Sequence, residues 1–579
     1  MIADYIHKRR QNTKPNKFPS FAASIEIYPW LPYLLISLVA LAAASWYLWP
    51  NPLEFPMDDT YIHFVYAQNL AETGRLMFNF AGEPGVGSTS ILWVTLLAIG
   101  YKLGLSLHIT AKVLGITALV LVGQGVYRLL NSKFPALVSL ASALMVILSG
   151  NMLWFALSGM ETLLFLGLGM TVVALYRTER WVWMGLLLGL LTLTRPEGLV
   201  LAGSLGIIDL WRHRKINTGI MISMGICALI CLPWFAYLLV RTGNILPTSA
   251  VGKQVSSRIG LRMVFAKTGK LAFLGNMPGL VYPFFWLTYV LEFALGGMAL
   301  PSPDISLGKL VGNPNYTISV WAILIWLIVV VPLVWIALRR FAFFMRETPS
   351  EANGHHWLFS LVAIWVVLHN LVYMFFLPIP GTASRYGAIN HMVLWILLAL
   401  GLYFFHRRSS NWRWVGGGLL ILVLANSIYW NNVYDANIEH MNNVRKTAAY
   451  YLRDHFSSDD FCAAFDVGAV RFFSQRPVMD LGGLVDSSFG EHYLDGSFDQ
   501  FLVDQGVSCL IIPGSIGAEK DGWFDFASAL GLTQTPLFTL SQVSLFEIDY
   551  ELWLVGFLPT NNYQASVTIY DLVLSRVPE

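Results

Sequence analysis

Charge is what this chain has least of. Asp, Glu, Lys and Arg make up 12% of its 579 residues, against 56% hydrophobic residues and a mean hydropathy of +0.58. Soluble domains carry about 25% charged residues, so a water-soluble fold of this length is excluded. Charge of one sign is lacking too: 37 basic and 35 acidic residues leave a net charge of +2. That balance points to no acidic partner, and no segment resembles a nucleic-acid-binding patch, so nucleic acid is not an expected partner. No small-residue cleavage site follows the basic stretch MIADYIHKRRQNTKPNK, so the apolar run from Trp30 to Trp49 reads as an uncleaved anchor. No internal repeat or low-complexity tract is evident, whereas a transporter or flippase would favour two related halves with broken helices at matching positions. Cysteine is scarce, with four in all. Cys227 and Cys231, one turn apart in an apolar helix, read as core. For Cys462 and Cys509, in the polar C-terminal region, a disulfide and buried free thiols stand equally open.

What the chain does have is long apolar runs. Several approach or exceed the ~20 residues that cross ~30 Å of hydrocarbon as a helix, and unsatisfied backbone groups exclude other open structures there. Lysine and arginine cluster after every second run, at Lys8–Arg10, Arg128 and Lys133, Arg177 and Arg180, Arg212–Lys215, Arg339–Arg346 and Arg407–Arg413. Placing these clusters in the cytoplasm gives roughly eleven crossings, near 30–49, 111–129, 134–152, 160–176, 181–194, 198–211, 217–239, 316–338, 357–378, 387–406 and 413–430. Residues 91–107 and 271–300 then enter the membrane as juxtamembrane or re-entrant segments, although 271–300 could equally hold two further crossings. The expected organisation is a cytoplasmic tail (1–29), a membrane domain (30–430) with a first outer loop at 50–110 and a large outer loop at 241–315, and an extracytoplasmic soluble α/β domain (431–579). In that last domain FCAAFDV, VSCLIIP and LFTLSQVSLFEI read as strands and Asn443–Phe456 as a helix. The implied location is the plasma (inner) membrane, multi-pass, with the N-terminus inside and the C-terminal domain outside.

Under this topology the unusual polar residues collect opposite the basic loops. They are Asp58, Asp59 and His63, Glu83, Glu161 in SGMET, Arg195 and Glu197 in TRPEG, Lys253 in GNILPTSAVGK, and Arg385 with Tyr386 in GTASRYG. Such a set suits an anionic substrate at the outer membrane surface. Pro56 blocks a helix upstream, and Tyr61, Ile62, Val65, Tyr66, Asn69 and Leu70 fit a short amphipathic helix along the interface, ending near Gly74. Asp58 is then either the N-cap of that helix or, with Asp59, a base for an acceptor hydroxyl; the position of Asp58 on the loop side favours it as the base. His63, one turn beyond Asp59, is either a contact to the same substrate or, more readily, an interfacial histidine with no catalytic role. TRPEG follows about 14 residues that span only ~21 Å, so the turn is sunk below the surface. Arg195 at that depth needs a partner or a watery cavity, and Glu197 and a phosphate are equal candidates. Glu161 is either a helix cap or a sugar or acceptor ligand. Lys253 and Arg385 either snorkel to headgroups or turn inward toward a phosphate. Asp466, Arg471, Asp480 and Asp486 read as turn and strand-end residues more readily than as glycan contacts.

DDTYIHFVYAQNLAETGRLMFNFAGEPGVGSTSILW, followed by SGMETLLF, LTLTRPEGLVL and LPTSAVGK, resembles the GT-C superfamily of membrane glycosyltransferases. The likeness is nearest to the group that includes actinobacterial arabinofuranosyltransferases, and more distant to protein O-mannosyltransferases and lipid A aminoarabinose transferases. It covers roughly residues 30–400 and extends less specifically to DVGAVRFFSQRPVMDLGGLVD. The resemblance implies a polytopic α-helical membrane protein of the GT-C fold, with about 11–13 transmembrane helices plus juxtamembrane helices and a C-terminal soluble α/β domain. It also implies an inverting transfer of a hexosyl or pentosyl unit from a polyprenyl-phosphate donor to a glycan, glycolipid or protein acceptor. Asp58 and Asp59 would be the catalytic candidates, Arg195, Lys253 and Arg385 the donor-phosphate ligands, and His63, Glu161, Glu197 and Tyr386 substrate contacts. The family's longer E-G-Y/F-T-S pattern is here Gly85 to Ser90 without the glutamate and the aromatic. The paired aspartates allow a divalent cation (Mg, Mn or Ca) without demanding one. A ligase or polymerase moving a whole lipid-linked oligosaccharide is the second expectation, and a transporter the third.

Overall fold

The computed structural model describes residues 25–80, 86–254, 326–346, 355–377, 381–516, 526–547 and 566–575, apart from a few single positions, with short pieces between 277 and 319. Among them, six helices are long and apolar enough to cross a membrane: Leu31–Leu48, Leu107–Asn131, Thr218–Thr242, Trp357–Phe376, Thr382–His406 and Trp412–His455. A seventh span would be the pair Ala136–Leu148 and Gly150–Leu157, bent by 58° at Ser149. The eleven to thirteen crossings expected from the basic loops are therefore not all full-length helices. Thr162–Arg177, Trp181–Thr194 and Gly198–His213 have 16, 14 and 16 residues. At 1.5 Å per residue they are shorter than the hydrocarbon layer is thick. Ile91–Lys102, with 12 residues, is likewise too short to cross. Most of 271–300, and Glu83, lie outside the described residues.

A continuous helix joins membrane and soluble parts. Trp412–His440 runs through a wider turn at Met441–Lys446 into Thr447–His455, so the expected boundary at residue 431 falls inside a helix. Beyond it stands a five-stranded mixed sheet in the order Val478–Asp480, Phe461–Ala464, Val507–Pro513, Ser566–Leu574, Phe538–Glu547. The first three strands are parallel and the last two antiparallel to their neighbours. Cys462 and Cys509 face each other on adjacent parallel strands, Cα atoms 4.6 Å apart, and form a disulfide. Cys227 and Cys231 are free and buried in the Thr218–Thr242 helix.

The loop that follows the Leu31–Leu48 helix lies between these two parts. Its helix, Asp59–Thr73, ends at Gly74 in the left-handed conformation (φ 73°), which a glycine adopts without strain. An amphipathic interfacial helix is not what forms: every residue from Thr60 to Ala67 is buried. The helix Val467–Ser474 of the soluble domain covers the face that water or headgroups would otherwise meet. Phe55, Tyr61, Phe64, Trp93, Val444, Val467 and Val470 share one core, and each aromatic fully buried there is worth about 1.5–3 kcal/mol. Lys112 locks the entrance of the loop. Its Nζ, enclosed in the Leu107–Asn131 helix, donates to the carbonyls of Glu54 (2.7 Å) and Leu157 (2.8 Å) and to the Tyr434 hydroxyl (2.6 Å), and lies 3.8 Å from the Phe55 ring centre. Those three bonds use all its donors.

Candidate functional site

The two adjacent aspartates point to different places, because successive residues at the start of a helix do not share a face. Asp58 stands at the N-cap position of its own helix without a capping bond from its side chain. Its carboxylate turns instead to the soluble domain, where Oδ2 accepts from the Gly468 amide (2.8 Å) and Oδ1 from the Ala469 amide (2.7 Å). Burial and the neighbouring Asp466 push the Asp58 carboxyl up to about 7. Asp59 turns toward the membrane domain and lines a cavity of about 380 Å³, its open mouth included, with His63, Glu161, Lys253, Arg385, Tyr386, Gly87, Thr89, Ser249 and Leu484 among its neighbours.

Arg385 reaches Asp59 from the tight turn Thr382–Gly387, where Ala383 and Ser384 hold φ values of 55° and 56°. Non-glycine residues there cost of order 1–3 kcal/mol each, and the surroundings must over-determine them. The result is a guanidinium only 4% exposed, paired directly to the Asp59 carboxylate and 3.7 Å from the Met57 sulfur. Lys253 turns inward rather than to headgroups, donating from Nζ to the Tyr386 hydroxyl at 2.7 Å. Burial pushes the Asp59 carboxyl up, but Arg385, Lys253 and His63 outweigh it and hold it below the ordinary carboxylate value. Burial drives His63 below its ordinary value, against the opposing effect of Glu161 and Asp59. Its Nδ1 lies 3.2 Å from Ser88 Oγ and its Nε2 3.6 Å from Glu161 Oε2.

Glu161 opens the Thr162–Arg177 helix without capping it. Its Oε1 accepts from Arg195 Nη1 at 3.1 Å, and Arg195 Nη2 donates to Glu197 Oε1 at 2.9 Å and to the Tyr373 hydroxyl at 2.7 Å. Arg195 of the TRPEG turn therefore has two carboxylate partners, Glu197 near in sequence and Glu161 distant. Tyr373 also bonds Glu197 and stacks on Tyr386 with ring centres 5.4 Å apart. Tyr386 joins the two halves of the cluster, with the guanidinium carbons of Arg195 and Arg385 4.7 Å and 5.1 Å from its ring centre. Three carboxylates (Asp59, Glu161, Glu197) thus meet three cations (Arg195, Lys253, Arg385).

Of the candidate residues, all but Asp58 belong to this cluster. A cation shared by Asp58 and Asp59 does not fit, since one carboxylate receives two backbone amides and the other a guanidinium. Among the described residues no three His, Cys, Asp or Glu side chains gather as metal ligands. Asp480 serves its own loop, accepting from the Gly482 (2.7 Å) and Val485 (2.6 Å) amides, and Asp466 pairs with Arg445. Sequence reasoning missed Tyr373, Ser249 and Leu484. A tyrosine within an apolar span carries no distinguishing signal, and Leu484 comes from the opposite end of the chain.

Sequence profiles and known structures give the setting. A family profile described as Domain of unknown function (DUF8728) matches residues 431–570. No curated protein matches the chain by sequence. The oligosaccharyltransferase of Archaeoglobus fulgidus in the apo form is similar with a TM-score of 0.53 and 13% identity, over 94% of this chain and 76% of that one. The archaeal oligosaccharyltransferase AglB from the same organism, in complex with an inhibitory peptide and a dolichol-phosphate, gives 0.50 at 13% identity over 84% and 70%. The fold is that of the GT-C membrane glycosyltransferases. A weaker likeness, TM-score 0.49 at 13% identity over 93% and 97%, is to ArnT from Cupriavidus metallidurans.

In this fold the loop that follows the Leu31–Leu48 helix presents Asp59 to a cavity also lined by Lys253 and Arg385, and the C-terminal domain adds Leu484 to its wall. An acid held ionised beside exchangeable cations can accept a proton while those cations bind an anion.

Proposed function

We propose that this chain is an inverting glycosyltransferase that moves a sugar from a polyprenyl-phosphate donor to a hydroxyl acceptor at the outer membrane face, with Asp59 as general base. The observation that carries this reading is the meeting of Asp59 with Arg385, Lys253, Glu161 and Tyr386 around one cavity between the membrane helices and the soluble domain. The isoprenoid tail stays in the bilayer and the donor phosphate takes the guanidinium of Arg385 and the ammonium of Lys253, with Arg195 behind them. Because the cluster is charge-balanced before the donor arrives, the phosphate competes with Asp59 for Arg385 and leaves the carboxylate free beside the acceptor. Asp59 then takes the acceptor's proton, the acceptor oxygen bonds to the anomeric carbon from the face opposite the phosphate, and the bond to the phosphate oxygen breaks with its electron pair. One displacement inverts the anomeric centre. His63 and Glu161 are positioned to contact the sugar or acceptor. No step in this scheme requires a divalent cation.

The Cys462–Cys509 disulfide supports an oxidising compartment for the soluble domain, and with it the plasma-membrane topology with the N-terminus inside. The decisive experiment offers the purified protein a panel of polyprenyl-phosphate monosaccharides and of lipid-linked oligosaccharides and follows donor consumption. Turnover of monosaccharide donors by wild type and its loss in Asp59→Asn is expected; full turnover by Asp59→Asn would remove the base from the scheme. Consumption of oligosaccharide donors alone would make the protein a ligase.

A further inference from the structure

We propose that Asp58 is a positioning residue through which the docked soluble domain sets the place of Asp59. The inference rests on the reading of Asp59 as the base. Asp58 is 7% exposed and spends both carboxylate oxygens on consecutive backbone amides, Gly468 and Ala469, at the start of the Val467–Ser474 helix. Those amides have no partner within their own helix, and a carboxylate at this end also meets the positive end of the helix dipole. The approach is close enough to require glycine at 468: a Cβ there would lie 2.8 Å from Asp58 Oδ2 and 2.9 Å from Ile62 Cγ1. The clasp therefore holds backbone against backbone, one peptide unit from the residue that faces the cavity.

Other contacts make the same two surfaces one unit. The Asn79 side chain donates to the Val478 carbonyl (2.9 Å) and accepts from the Val478 amide (3.1 Å). Tyr61 meets Phe473 with ring centres 4.8 Å apart. Backbone meets backbone where Gly252 touches Gly483, next to Leu484 in the cavity wall. Arg445, on the helix leading from the membrane, fixes Asp466 just before the clasped helix. Movement of the soluble domain on binding an acceptor is thereby passed to the Asp59 backbone. Asp58 touches no atom of the cavity, so its effect on turnover runs through Asp59 alone.

The test breaks the clasp from each side. Asp58→Asn replaces an accepting oxygen by a donor, and Gly468→Ala pushes the helix away without altering the aspartates. Asp58→Ser keeps one acceptor in case Asp58→Asn folds poorly, and folding of every variant is checked by gel filtration and thermal unfolding. Each of the first two variants should lower kcat about tenfold to a hundredfold, the range expected of an ~1 Å misplacement. KM for the donor should stay within about twofold, Asp58→Ser should fall between them and wild type, and the double variant should be no slower than the worse single one. Amide exchange should rise together at 467–474 and at 59–63. The proposal is overturned if Asp58→Asn is inactive while Gly468→Ala turns over normally, since Asp58 would then act in the chemistry. It is equally overturned if both variants keep full kcat, or if exchange rises at 467–474 and not at 59–63. A wild-type protein that consumes no donor would sink the transferase reading, and the exchange measurement would still decide the clasp.

Discussion

Two buried charged groups, about Lys112 and about Arg385, are built on opposite plans. Lys112 is an ammonium whose three donors end on two carbonyls and a hydroxyl. Arg385 is paired with a carboxylate, shares Tyr386 with two other cations, and borders a void. A buried cation satisfied by neutral protein oxygens is a fastening, since any ligand would have to replace several bonds at once. A buried cation held by an opposite charge beside a cavity is exchangeable, because an incoming anion offers the same interaction that it displaces.

The contrast can be broken by experiment, beginning with the largest effect. Asp59→Asn should cost ~10²- to 10⁴-fold in turnover, the usual contribution of a general base, with folding intact by thermal unfolding. Lys112→Met should do the reverse, destabilising by about 2–4 kcal/mol because two carbonyls lose their donor, while donor KM in the folded fraction is unchanged; a normal melting temperature would show that the lysine fastens nothing. Arg385→Gln should weaken polyprenyl-phosphate binding by about 10- to 100-fold, corresponding to about 1.4–3 kcal/mol for a charge-assisted bond, as read by competition against labelled donor.

The pH profile follows with its sign. Asp59 is depressed by Arg385, Lys253 and His63 against the opposing effect of burial, so its ionised form is present above the ordinary carboxylate value and is lost only as pH falls through the lower folded value. Wild-type kcat/KM, which reports the free enzyme, should therefore keep its acid limb below that ordinary value, and Arg385→Gln should move the limb upward. An unmoved limb would mean that another group limits turnover at low pH. The smallest effect sharpens the idea of exchange: Asp59→Asn should bind polyprenyl phosphate about three- to tenfold more tightly than wild type, since Arg385 no longer has an anionic rival. Equal affinity would mean that the phosphate does not compete with Asp59.

The residues that gather at the cavity were legible in sequence because membrane burial makes ionisable side chains conspicuous. Arg195, Glu197, Lys253 and Arg385 stand out from apolar surroundings, and the alternation of basic loops assigns them to one side. Lys112 was equally ionisable and was overlooked, since nothing local separates a fastening from a ligand-binding charge. The covering of the Asp59–Thr73 helix was hidden for another reason: the residues that bury it, from Val467 to Ser474, lie about 400 positions away. A short helix with a polar face reads as interfacial until its partner is known.

Composition alone determined that this chain lives in a bilayer, as helices, with a polar domain at its end, because an apolar backbone environment leaves few ways to satisfy N–H and C=O groups. Residue identity made an acid and several cations stand out from apolar surroundings. Only the tertiary structure showed which aspartate faces the cavity and which faces the C-terminal domain. Asp58 and Asp59 are chemically the same, and their directions differ by the rotation of one helical residue, a phase set by where the soluble domain's helix comes to rest.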